Sequence, residues 1–416
     1  MTHVPLTVPA YQVRTVHCDH RADDEAVYQA LCRATDPLER AWARLSRAKR
    51  IAVKFNQDKA RQHVVLLAGQ RQQLVSDSVM RATLRLLRER TAAEIICVDV
   101  SFYVMYNGET LANTCTVAPI LREFGVRYVD GTQPPYREVQ PPTGGLMFGR
   151  YTMMDELLAA DAVVSVATIK NHAFMGVTGC LKNLFGLLPG EPHARPRTYY
   201  HHLVRMPGML ADIGRILDPA LNIVDALVGQ AGQEWSAIGA PEGRIVDALI
   251  AGDHVIATDA AMMHLMGHDP QADWRVPPFH RDRNPLLVAA ESGFGTVDLR
   301  EVDYRSEVAP QPPGSFYALM TDAPETTANW RRTMCEQALF YHANPELFER
   351  YAGEYILLQD GEVRWHDPRG TITISRRALA GDHPERALFY KFVDPSEAED
   401  EHYAVYERTL AAMVRN

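Results

Sequence analysis

Cysteine is scarce in this sequence. Six occur in 416 residues (Cys18, Cys32, Cys97, Cys115, Cys180 and Cys335), and no two form a C-x-x-C pair. That scatter excludes the usual spacing of a structural zinc site or an iron–sulfur cluster, and predicts buried, reduced thiols. There is no apolar run of about 18 residues, so no membrane-spanning helix is expected. Positive charge is also short: the net charge is −9, the wrong sign for a general nucleic-acid binder. The opening "MTHVPLTVPAYQVRTVHCDH" has no basic segment leading into an apolar one, so the reading is cytoplasmic. Neither G-x-x-x-x-G-K-[ST] nor G-x-G-x-x-G occurs, which disfavours nucleotide binding, and no H-E-x-x-H suggests a metal.

What the chain does have is alternation. Apolar runs suited to buried strands occur at 50–56, 94–101, 126–130, 161–168, 221–227 and 246–252. Helical patterns lie between and after them at 76–90, 116–125, 152–160 and 255–267. This predicts an α/β fold: a mainly parallel sheet covered by helices on both faces, occupying residues 1–310. A proline-rich stretch, "EVAPQPPGS", then introduces residues 311–416, expected to be a small α+β C-terminal appendage. That appendage should contain a β-hairpin turning at Asp360-Gly361 and an acidic-to-basic terminal helix, serving packing, a lid or a dimer contact.

In open parallel sheets ligands bind beyond the carboxyl ends of the strands. The polar residues there are Lys54 and Asn56, Asp99, Asp130, Lys170 and His172, and Asp225. The densest group is "IKNHAFMGVTGCLKNLFGLLPG", residues 169–190. Thr178 is the expected cap of a helix over 179–188 whose apolar face holds Leu181, Leu184, Phe185 and Leu188, turning Lys182 and Asn183 elsewhere. A helix N-terminus beside glycines and lysines makes an anion site. Downstream, "HARPRTYYHHLVR" reads as a loop or lid supplying Tyr200, His201, His202 and Arg205. Asp99, Asp130 and Asp225 are candidate general bases, with Lys170 and His172 as catalytic partners. The plain alternatives are a solvated strand end for Lys170 and His172, and turn or cap positions for the aspartates.

The same motif, with "AVKFNQ", "DIGRILDPALNIVDALVGQAGQ" and "LIAGDHVIATDAAMMHLMG", resembles the domain-of-unknown-function 362 family over about residues 45–300. Many relatives carry a cysteine-rich ferredoxin segment that is missing here, so no iron–sulfur role is carried over. The strand, K-x-H, helix layout is distantly similar to lactate racemase, a nickel-pincer enzyme, but no cofactor transfers residue by residue.

These readings point to a cofactor-independent enzyme acting on a small anionic metabolite, with lyase or cyclase chemistry expelling an anionic leaving group. Isomerase or racemase chemistry is the runner-up. The rivals are a divalent-metal enzyme using His172, His201, His202, Asp225 and Asp259, and a non-catalytic binder of small anions. A homodimer or partner contact through the appendage is a further expectation.

Overall fold

The computed structural model describes residues 11–232, 234, 242–370, 388–397 and 400–414. Its strands are β1 (Tyr11–His17), β2 (Arg50–Phe55), β3 (Leu66–Leu67), β4 (Gln70–Arg71), β5 (Glu94–Asp99), β6 (Arg127–Asp130), β7 (Tyr136–Val139) and β8 (Tyr151–Met154). They continue as β9 (Ala162–His172), β10 (Gly176–Thr178), β11 (Leu221–Ala231), β12 (Glu242–Gly252), β13 (Val302–Ser306), β14 (Tyr355–Gln359), β15 (Glu362–Asp367) and β16 (Phe389–Phe392).

The main sheet runs β13-β1-β12-β11-β9-β2-β5-β6, with β10 folded back on β9. From β11 to β6 every pairing is parallel. Strand β12 runs antiparallel to both of its neighbours, β1 and β11, so the expected parallel sheet is interrupted there. Alternate residues face opposite sides, as the pleat requires. Ile51, Val53 and Ile95 join one apolar cluster with the helices Asp24–Thr35 and Asp77–Arg90. Ala52, Ile96 and Val224 join another with the helices Arg205–Leu217 and Val255–Leu265. The α/β reading therefore holds. Ser76 caps the helix Asp77–Arg90, its Oγ accepting from the Val79 N–H at 3.4 Å.

The C-terminal region carries its own antiparallel sheet, β15-β14-β16. The hairpin turn falls at Asp360 (φ 51°) and Gly361 (φ 77°), both in the left-handed region that a tight two-residue turn needs. The unexpected element is the helix Pro324–Ala343, which lays Met334 and Cys335 onto the core cluster of the main domain. The terminal helix Ala404–Val414 has no basic residue in its last turn. Arg415, on which the acidic-to-basic reading rests, lies outside the described residues, as do the first ten residues of the opening segment. Among the described residues no helix is long and apolar enough to cross a membrane.

Two local expectations fail. Residues 152–160 do not form a helix. Met153 and Met154 are buried in β8, paired with β7, and only Asp155–Leu158 makes a helical turn. The helix expected over 179–188 is one turn, Cys180–Asn183, running into a 3-10 turn, Leu184–Leu187.

Candidate active site

Beyond the ends of β2, β5 and β9 lies a cavity of about 790 Å³, inside the range of ligand sites. Strand β9 is buried along its whole length, and its last polar residues, Lys170 and His172, share one face at a spacing of two. Lys170 is 1% exposed, and its ammonium donates to Asn56 Oδ1 (3.1 Å), the Gln73 carbonyl (2.8 Å) and Glu234 Oε1 (2.7 Å). An ammonium has three donors. Lys170 is saturated.

His172 is equally committed. Its Nδ1 accepts from the N–H groups of Phe174 (3.1 Å) and Met175 (3.2 Å), so the ring proton sits on Nε2, 3.3 Å from Glu234 Oε2. Burial and the neighbouring Lys182 hold its pKa down to about 3, and the ring is neutral. Burial would raise Glu234, but Lys170, His172 and Lys182 hold it well below the usual carboxylate range. Glu234 escaped the sequence reading because it stands past the strand, in a polar stretch of no pattern.

Lys54 is also paired. Its Nζ lies 2.7 Å from Asp99 Oδ1 and donates to the Phe55 carbonyl at 2.8 Å, while Gln57 Nε2 donates to Asp99 Oδ2 at 2.6 Å. Gly186 makes room for this lysine: a Cβ there would meet Lys54 Cε at 2.9 Å. Asp58, raised by burial and by Asp99, accepts from Ser101 Oγ and the Phe102 N–H beside it.

Lys182 differs. It lines the cavity and places its Nζ 5.0 Å from the centre of the Phe185 ring, and among the described residues no hydrogen bond or ion pair holds it. Burial first, then Lys170 and Arg197, brings its pKa down to about 8, against a pull upward from Glu234. Lys59 is likewise lowered to about 8 by burial and Lys170.

The structure sorts the expected residues. Lys54, Asn56, Asp99, Lys170, His172, Thr178, Lys182, Asn183, His201 and His202 all line the cavity. Within that set Asn183 is a brace, its Nδ2 donating to the Lys54 carbonyl (3.1 Å) and Ser165 Oγ (3.1 Å). His202 Nε2 accepts from the Tyr390 N–H at 3.3 Å. Asp130, Asp225, Tyr200 and Arg205 fall elsewhere. Asp130 ends the outermost strand and accepts from the Thr132 N–H and Oγ1. Asp225 pairs with Thr168 and so shares the sheet face of Lys170 and His172, but it lies outside the cavity lining, accepting from the Ser76 (2.7 Å) and Leu227 (3.1 Å) N–H groups. Tyr200 packs among Phe148, Tyr151 and Tyr199. Arg205 is fully buried, ion-paired with Glu401 at 2.9 Å and donating to the Tyr390 carbonyl at 2.8 Å, which fastens the appendage to the sheet.

The expected anion site at a helix N-terminus is filled from within. Asp259 accepts from the N–H groups of Cys180 (2.7 Å) and Leu181 (2.8 Å), and Gly179 leaves space for that carboxylate. Thr178 is not the cap; Gly179 is. The metal set also comes apart, because Asp225 and Asp259 each serve backbone N–H groups and His172 Nδ1 is occupied. Where three metal-capable groups do converge among the described residues, Asp19, His20 and Asp247, they lie outside the cavity lining. Cys180 is buried, its thiol against the Ile223 carbonyl (3.3 Å), and burial with Asp259 raises it well above the ordinary thiol range.

Fold and site together define an α/β protein with a ligand-sized cavity at the carboxyl ends of its parallel strands. Residues 63–264 match the family model described as a domain of unknown function (DUF362), which bears out the resemblance over that span. A thylakoid-associated protein of Synechocystis sp., sll1697, is 27% identical over 157 residues, 36% of this chain and 45% of the relative. The chain therefore spans less than half the length of that curated relative. Among solved structures, the lactate racemase apoprotein from Thermoanaerobacterium thermosaccharolyticum is 15% identical, with a TM-score of 0.34, covering 61% of this chain and 57% of that one.

Proposed function

We propose that the protein is an enzyme that takes a proton from the carbon beside a substrate carboxylate and returns it, an isomerase-type reaction, with Lys182 as the base. The observation that carries this reading is the contrast among lysines. Lys54 and Lys170 are locked in ion pairs, whereas Lys182 faces the cavity with its pKa brought down to about 8. A base performs best when its pKa lies near the working pH. Arg197 and Lys59 line the same cavity and supply cations for the carboxylate and for the enolate charge that develops on it. A lyase or cyclase with a free carboxylate base fits less well, since Asp99 and Glu234 are both paired, both oxygens of Asp58 accept from Ser101 and Phe102, and Asp130 and Asp225 lie outside the cavity lining.

The test is α-proton exchange in D2O, followed by NMR over a panel of 2-hydroxy and 2-aryl carboxylic acids. Exchange with the carbon skeleton retained, falling at least 100-fold in Lys182→Met, is the expected outcome. Release of a leaving group in place of exchange would move the assignment to a lyase. Exchange untouched by Lys182→Met would remove this base.

A further inference from the structure

The cavity, about 790 Å³, has more room and more apolar lining than a small polar metabolite would use. Beside the lysines the lining is largely apolar, with Phe102, Phe174, Met206, Trp330, Met334 and Leu388. The last three come from the C-terminal appendage, two of them from the helix Pro324–Ala343. Charges on this side cancel before any ligand arrives. Arg281 pairs with Asp322 at 2.7 Å and lies between two rings, 4.5 Å from the centre of Phe174 and 5.2 Å from that of Trp330. Arg331, next to Trp330, is buried against Asp282, whose other oxygen accepts from the Val204 N–H at 2.6 Å. That pair pins the appendage helix over the cavity, so the apolar wall stands ready-made. Phe174 is 40% exposed, an aromatic ring left open beside the wall.

We propose that the ligand is an amphipathic acid: a carboxylate on the lysine side and an aromatic or hydrocarbon body against the wall built by the appendage. This rests on the reading of the lysine side as an acid-binding floor and adds the substrate class. An apolar body with no charge of its own is what neutralised arginines, two methionines and three aromatic rings accept at low cost. Methionine adapts to irregular apolar shapes, and the rings offer flat faces. The appendage then sets specificity, and Lys59 and Arg197 hold the acid group.

Calorimetric titration of the full chain with 2-naphthoate, acetate and uncharged 2-naphthylmethanol tests this. The expected result is 2-naphthoate binding at least 30-fold more tightly than acetate and at least 10-fold more tightly than 2-naphthylmethanol. Trp330→Ala with Met334→Ala should cut 2-naphthoate binding at least 10-fold and leave acetate unchanged, and the gentler Trp330→Phe should retain most of it. Equal affinity for 2-naphthoate and acetate in the unaltered protein overturns the apolar wall while leaving the acid-binding floor. Equal affinity for 2-naphthoate and 2-naphthylmethanol overturns the floor while leaving the wall. Binding of none of the three overturns both.

Discussion

The two sides of the cavity are made of opposite materials. The sheet side is polar and nearly closed to new partners: Lys54 with Asp99, Lys170 with Glu234 and Asn56, His172 with Glu234. The appendage side is apolar and held from behind by buried ion pairs, Arg331 with Asp282 and Arg205 with Glu401. The difference teaches where each kind of interaction serves. On the sheet side buried charges hold one another around the strand ends; on the appendage side Arg331–Asp282 and Arg205–Glu401 fix an apolar surface in which Arg281–Asp322 is already neutralised.

Breaking the sheet side should cost most. Asp99→Ala leaves the Lys54 ammonium buried without its carboxylate, and Lys170→Met leaves Glu234 without its nearest cation. Removing one member of a buried pair costs about 3–5 kcal/mol. Urea denaturation at pH 7 should show that loss for both variants; a loss under about 1 kcal/mol would falsify the account of a self-held floor.

The appendage should yield to acid. Burial would raise Glu401, but Arg205 and Lys391 hold its carboxyl down to about 2 from an ordinary 4.5. A depressed carboxylate contributes stability that is fully present above the ordinary pKa and is lost as pH falls through the folded one. The window is therefore about pH 4.5 to 2, and the amount is about 3 kcal/mol. Proteolysis at falling pH should cut the appendage before the sheet domain. Glu401→Gln should already be loosened at pH 7 and should lose the dependence in that window.

Much of the sheet side was legible because strands announce themselves by apolar runs and end in the polar residues that follow. Lys54, Asp99, Lys170 and His172 follow from that rule, and Lys182 from the glycine- and lysine-rich helix start after β9. Asp225 has the parity of the site, sharing a face with Ile223 and Leu227 and, through its partner Thr168, with Lys170; the segment before the helix Asp77–Arg90 covers it, the Ser76 N–H donating to its carboxylate. Asp130 was lost to strand order, since nothing local says that β6 lies at the sheet's edge. The helix Pro324–Ala343 carries Trp330 and Met334 in no pattern that marks a binding wall; only its docking through Arg331 makes one.

The smallest effect divides the sheet side against itself. Lys170 and Lys182 come from one motif, yet only Lys170 has acceptors. Burial lowers Lys182 from 10.5 to about 8, so its charged form is disfavoured in the folded protein. Below pH 8 the folded state carries that penalty, and it fades as pH rises towards 10.5, where the unfolded chain also loses its proton. Methionine can lie against Phe185 without charge. Lys182→Met should therefore stabilise the protein at pH 7 by about 0.5–2 kcal/mol, as removal of a strained functional group does. The gain should shrink steadily from pH 8 to 10.5. Lys170→Met moves in the opposite direction. If Lys182→Met instead destabilises the protein as Lys170→Met does, then Lys182 is held by a partner, and a lysine so held is no base.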